Sequence, residues 1–195
     1  MISVALMLAL ASPAPVPETA GALDTTAPPS VEPLVGPGGV SGLRARFLVR
    51  AAPAVVLETL WDVRRFRSIF PDIESLAVVA TRGECSVDVR FVVNAVLAKV
   101  SYTLRRDLDR AAGTVVWRSI AGDLKSVRGS WTVRATEEPD VSQVVYTSFV
   151  DVGRLVPTGM VRDLALGKVK ELASRVRAAV ATPSTSAPPG NGTGR

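Results

Sequence analysis

The chain has no histidine and only one cysteine in 195 residues. The first absence removes every mechanism built on an imidazole, His-based triads and His-containing zinc sites included. The second leaves Cys85 unable to form an intramolecular disulfide or a multi-cysteine metal site. No metal and no other cofactor is therefore expected. The leading apolar run, residues 1–11, falls short of the roughly twenty residues that a membrane-spanning helix requires.

What is present is 47% hydrophobic residues against 21% charged ones, enough to bury a core and too apolar for disorder throughout. One folded domain is expected. The remaining chemistry is that of a binding fold, or of an enzyme working with carboxylates, Arg, Lys, Tyr and Ser. Lys and Arg number 23 against 18 Asp and Glu, a net charge of +5, and the isoelectric point is about 10.0. That balance permits contact with anionic membranes or nucleic acid. The positive charges are dispersed, with Arg64, Arg65 and Arg67 as the one tight group and Arg105 with Arg106 in a separate segment. No helix-turn-helix or RNA-recognition signature accompanies them, so the arginines read as solvated surface and nucleic acid is not an expected partner.

Composition divides the chain into four stretches. Residues 1–11 look like the apolar core of a secretory signal, although without a basic flank. As a signal they predict an exported protein, periplasmic or held at the cell envelope; otherwise the protein is cytoplasmic. Residues 12–42 are rich in Pro, Ala, Gly, Ser and Thr and lack a periodic apolar surface, which reads as a disordered linker. Residues 182–195 read as a disordered tail for the same reason. The folded unit is then 43–181, an ordinary single-domain size.

Within that unit the periodicities change in a definite order. Leu43 to Arg50 reads as a strand, Ala52 to Asp62 as a short helix opened by Pro53, and Val63 to Ile69 as a second short helix that Phe70-Pro71 ends. Strands follow at Leu76 to Thr81, Ser86 to Val93, Lys99 to Leu108, Thr114 to Ile120, Val127 to Ala135 and Ser142 to Val152, separated by turn signals such as Arg82-Gly83 and Ala112-Gly113. Alternation is clean in two of them. Val87, Val89, Phe91 and Val93 oppose Ser86, Asp88 and Arg90, and Val127, Gly129, Trp131 and Val133 oppose Arg128, Ser130, Thr132 and Arg134. A long helix from Thr158 to Ala181 closes the unit, with Val161, Ala165, Val169, Leu172, Val176 and Ala179 as its apolar stripe. These small residues let the helix lie close to a curved sheet at one end and leave a void elsewhere.

This order, with Ala52-Pro53-Ala54-Val55-Val56 leading to Leu60-Trp61-Asp62, then Phe70-Pro71-Asp72-Ile73, and later Gly129-Ser130-Trp131-Thr132-Val133, Val145-Tyr146 and Leu155-Val156-Pro157, resembles the START and birch-pollen-allergen (SRPBCC) superfamily. Within it the chain is similar to the bacterial polyketide cyclase/dehydrase-like and coenzyme Q-binding START-like proteins. The resemblance implies an α+β helix-grip fold, a curved antiparallel sheet wrapped around a long C-terminal helix with two short helices after the first strand. It also implies a hydrophobic small-molecule ligand, such as a lipid, isoprenoid quinone, sterol or polyketide, held and transported in a cavity under that helix. One fold hosts many functions. A cyclase/aromatase using Tyr, Asp or Arg in the same cavity is the enzymatic alternative, and a membrane- or partner-docking domain is the third.

Strand parity and helix face then give a ligand-binding set: Val89, Phe91, Tyr102, Leu104, Val115, Trp117, Trp131 and Val133 from the sheet, with Val161, Ala165, Val169 and Leu172 above them. The same pattern describes a solid core, and periodicity does not separate the two. Tyr102 and Tyr146 either donate to a ligand carbonyl or cap backbone groups. Asp88 with Arg90, two apart on one face, either polarises a ligand head group or forms an exposed ion pair. Cys85 reads as an inert, half-buried residue. Arg64, Arg65 and Arg67, beside Phe66, Ile69 and Phe70, either dock on anionic lipid at the cavity mouth or face water while the phenylalanines enter the core.

Overall fold

The structure, a computed structural model, describes residues 23–95, 98–151 and 158–182; the side chains of 95, 98, 158–167 and 170 lie outside that description. Strands β1 (Ser30–Val35), β2 (Ser41–Val49), β3 (Ile73–Thr81), β4 (Ser86–Ala95), β5 (Ala98–Asp109), β6 (Thr114–Gly122), β7 (Ser126–Ala135) and β8 (Ser142–Asp151) form one sheet in the order β1-β2-β8-β7-β6-β5-β4-β3. Every neighbouring pair is antiparallel. β3 to β8 are a continuous meander, and β2 joins its far edge. Register shifts in β3 and between Thr103 and Leu104 mark bulges, which bend strands and increase twist.

Three helices cover the concave face. Pro53 opens α1 (Pro53–Trp61), where its missing N–H would have had no partner. The predicted second helix is split: Val63–Arg65 forms a 3-10 turn whose first orphan donor, Arg64 N, is accepted by the Asp62 side chain, and α2 is only Phe66–Ile69. α3 spans Thr158–Ala181, as its periodicity predicts.

The expected linker is not all linker. Residues 30–35 form β1, whose six residues pair with β2 and whose Glu32 bridges to Arg44 and Arg46. Composition gave no sign of this, because an edge strand tolerates Pro33 and needs only one partner to supply its backbone hydrogen bonds.

The C-terminal half of α3 packs solidly against α1 and the β2, β7 and β8 end of the sheet. Val176 and Ala173 are fully buried there with Val56, Leu60, Val144 and Val115. Arg65 caps this end of the helix by donating from Nη1 to the carbonyls of Ala179 and Thr182, where a cation meets the negative end of the helix dipole.

Candidate functional site

Toward the other end of α3 the layers part. Between the concave face, the α2–β3 turn and α3 lies a cavity of about 450 Å³, and an inner one of about 200 Å³ lies between the sheet and α2. Phe70, Asp72, Tyr146, Ser148 and Val150 line both, so the two adjoin.

The inner compartment is an aromatic box. Trp131 stands 4.4 Å from Tyr146 and 6.2 Å from Trp117 between ring centroids, and Phe91 stacks on Tyr102 at 5.6 Å. Of the sequence-derived set, Phe91, Tyr102, Leu104, Trp117 and Trp131 line this compartment, and Val169 with Leu172 line the outer one. Val89, Val115 and Val133 line neither; they are buried in packed clusters. Strand parity selects the inner face correctly but does not say where along a strand the helix stops touching it. The side chains of Val161 and Ala165 lie outside the described residues.

The residue that sequence reasoning missed is Arg106. It occupies the inward parity of β5, between Leu104 and Leu108, and is 1% exposed. Its Nη1 and Nη2 donate to the Trp61 and Leu60 carbonyls at 3.0 and 2.7 Å, satisfying the end of α1. Its guanidinium lies 4.3 Å from the Phe66 ring centroid and 5.0 Å from that of Trp61, a stacking geometry that suits a weakly hydrated planar cation. The Nε–H is buried with no acceptor among the described residues. Burial lowers the guanidinium to about 9, opposed by Asp62, so it remains cationic at neutral pH. The available signal was its place in the alternation Tyr102, Leu104, Arg106, Leu108.

Both tyrosines face the cavity. Burial raises Tyr102 to about 12, and its hydroxyl has no hydrogen-bond partner among the described residues, so the backbone-capping alternative does not hold for it. Tyr146 is also raised by burial, opposed by a hydrogen bond with Ser148.

Two other expectations are corrected, and the arginine trio is placed. Asp88 does not pair with Arg90, which is exposed. Asp88 accepts from Arg105 Nε at 2.8 Å and from Arg82 Nε at 3.1 Å instead. Residues two apart on a strand are separated by roughly 7 Å, whereas the directly opposed cross-strand neighbour, here Arg105, is about 5 Å away. Cys85 is exposed rather than half-buried, because it sits in the β3–β4 turn; Arg110 Nη1 reaches its Sγ at 3.4 Å. Of the arginine trio, Arg64 is held by Asp62 at 2.9 Å and Arg67 is exposed, while Arg65 is committed to the end of α3.

Residues 49–175, more than half of the chain, match the family described as polyketide cyclase / dehydrase and lipid transport. The chain belongs to that family. Among solved structures it is similar to the Zhui aromatase/cyclase from Streptomyces sp. R1128, with 22% identity, a TM-score of 0.58, and 71% of this chain and 90% of that one covered. A START superfamily protein from Mycobacterium smegmatis aligns with 17% identity and a TM-score of 0.61 over 71% and 96% of the two chains. A STAR-related lipid transfer protein fragment from Xanthomonas axonopodis aligns with 15% identity and a TM-score of 0.65 over 78% and 93%. At these identities the likeness is one of fold. No curated protein matches the chain. The chain thus has the helix-grip architecture that the sequence implies, with two adjoining cavities on the concave face of its sheet.

Proposed function

We propose that the protein is a binding protein for one apolar small molecule, held between the sheet and α3 with an acceptor oxygen of the molecule on the Nε–H of Arg106. The observation that carries this is the buried Nε of a cationic side chain, unpartnered among the described residues, in the wall of an aromatic cavity. An unmet donor on a charged group costs more than a neutral one, and a carbonyl, carboxylate or phenolate oxygen relieves it. Lipids, isoprenoid quinones and polyketides all present such an oxygen beside an apolar body.

The titratable groups favour holding over turnover. A cyclase needs a base poised near the working pH, and a phenol raised to about 12 is a donor at neutral pH. Asp72, the carboxylate that lines both compartments, is paired with Lys168. Tyr102 and Arg106 both line the inner compartment, each with a donor to offer.

The test is native mass spectrometry of the delipidated full chain with palmitate, a menaquinone and a polyketide-derived phenol, on wild type and Arg106→Lys. The lysine can still reach the α1 carbonyls but has no Nε–H in that position. Retention of at least one probe by wild type, and its loss in a variant that melts like wild type, is the expected result. Wild-type protein that retains none of them overturns the reading, and so does undiminished retention by Arg106→Lys.

A further inference from the structure

The outer cavity is walled by a part of the chain that the family match does not include. The match begins at residue 49, whereas Pro33, Leu34 and Val35 of β1 and Ser41 and Leu43 of β2 form one side of the 450 Å³ space. This wall is held in place at several points: Glu32 bridges to Arg44 and Arg46, and Arg177 of α3 donates to the carbonyls of Thr26 and Ala27 just before β1.

The strand register connects this wall to Arg106. Reading straight across the sheet, Pro33 is opposite Leu43, Leu43 opposite Ser148, Ser148 opposite Gly129, Gly129 opposite Trp117, and Trp117 opposite Arg106. The row lies on one face of the sheet and crosses five strand spacings, about 24 Å at the usual ~4.8 Å each. Ser148, near its middle, lines both compartments. The outer end carries Val35, which lines the cavity and yet is 82% exposed, an apolar side chain with open space against it.

We propose that β1 and the facing strip of β2 form a tail annex, so that the ligand is a long-chain amphiphile: its polar head at Arg106, its linear acyl or isoprenoid tail crossing Ser148 and ending against Pro33 and Val35. A compact fused-ring molecule would fill only the inner compartment. This inference rests on the binding reading above, and it adds the ligand's shape.

Isothermal titration calorimetry on the delipidated full chain, with octanoate and palmitate as probes, separates the two. Wild type is expected to bind palmitate at least about tenfold more tightly than octanoate. Ser41→Trp, which fills the annex opposite Val35 and far from Arg106, lowers palmitate affinity about tenfold and leaves octanoate unchanged. Val35→Asp, at an exposed position that folding tolerates, has the same selective effect by placing a charge beside the tail. Palmitate no tighter than octanoate in wild type, or variants that weaken both probes equally or neither, overturns the annex while leaving the binding reading intact. Wild type that binds neither probe overturns the annex, while the binding reading then stands or falls with the menaquinone and the polyketide-derived phenol in the mass-spectrometric test above.

Discussion

Gly129 lies directly beneath the indole of Trp117. A methyl group at Gly129 would stand 2.4 Å from Trp117 Cζ2 and 2.3 Å from the Thr147 carbonyl oxygen. The ring therefore lies flat over the β7 backbone and becomes the floor of the inner compartment, between the Arg106 wall and the outer cavity. Gly129→Ala cannot be accommodated without moving the ring or the strand. The expected cost is about 1–3 kcal/mol, as for other overpacked positions, with the displaced indole narrowing the inner compartment. Chemical denaturation measures the first effect, and quenching of tryptophan fluorescence by a bound apolar ligand measures the second.

Arg65 and Arg67 are two residues apart and predicted to behave differently. Arg65→Ala uncaps the last carbonyls of α3, with an expected loss of about 1–2 kcal/mol. Arg67→Ala, at an exposed side chain, changes stability by less than about 0.5 kcal/mol. Equal melting temperatures for the two variants would contradict the capping role.

Asp88 makes stability sensitive to acid. Hydrogen bonding by Arg105, and next by Arg82, holds its carboxyl at about 2 against an ordinary 3.8, despite the opposing effect of burial. The stabilisation is complete above pH 3.8 and is lost as the pH falls toward 2, because the unfolded chain takes up the proton first. Asp88→Asn is expected to be less stable at neutral pH and to lose this part of the acid dependence. Urea melts of both proteins between neutral pH and pH 2 measure the difference in slope.

The two tyrosines are both in the cavity wall, and both are raised by burial. The folded protein is therefore expected to show no tyrosinate absorbance at pH 10, where an unfolded control is half ionised. Between pH 10 and about 12 the folded state keeps a Tyr102 proton that the unfolded state has released, so this group's contribution to stability falls as the pH rises. Arg106 acts in the opposite sense, since burial lowers it to about 9 in the folded state, well below the ordinary guanidinium range. Absorbance at fixed temperature is the cleaner readout for this reason. Tyrosinate appearing at pH 10 in folded protein would refute the burial of both phenols.

Much of the fold could be read along the chain because it is local or periodic. Pro53 fixes the start of α1, Phe70-Pro71 ends α2, and the alternation in Val87 to Val93 and in Val127 to Val133 assigns the buried face of β4 and β7. The candidate site was half legible. Parity brings Phe91, Tyr102, Leu104, Trp117 and Trp131 onto one wall, and the same parity includes Arg106, which composition alone counts among the dispersed, solvated arginines. β1 was missed because its identity as a strand rests on a partner, β2, rather than on its own composition. The Asp88 pairing was misassigned because the nearer arginine in sequence is the farther one in space.

The order of elements and the shared face within each strand follow from local pattern, since a two-residue period and a proline act within a few residues of themselves. Where α3 parts from the sheet, that Nη1 and Nη2 of Arg106 are engaged while Nε has no partner among the described residues, and that Pro33 and Arg106 share a row all come from the packed chain. Those are relations between segments far apart in the chain, set by register, curvature and packing, and no local pattern encodes them.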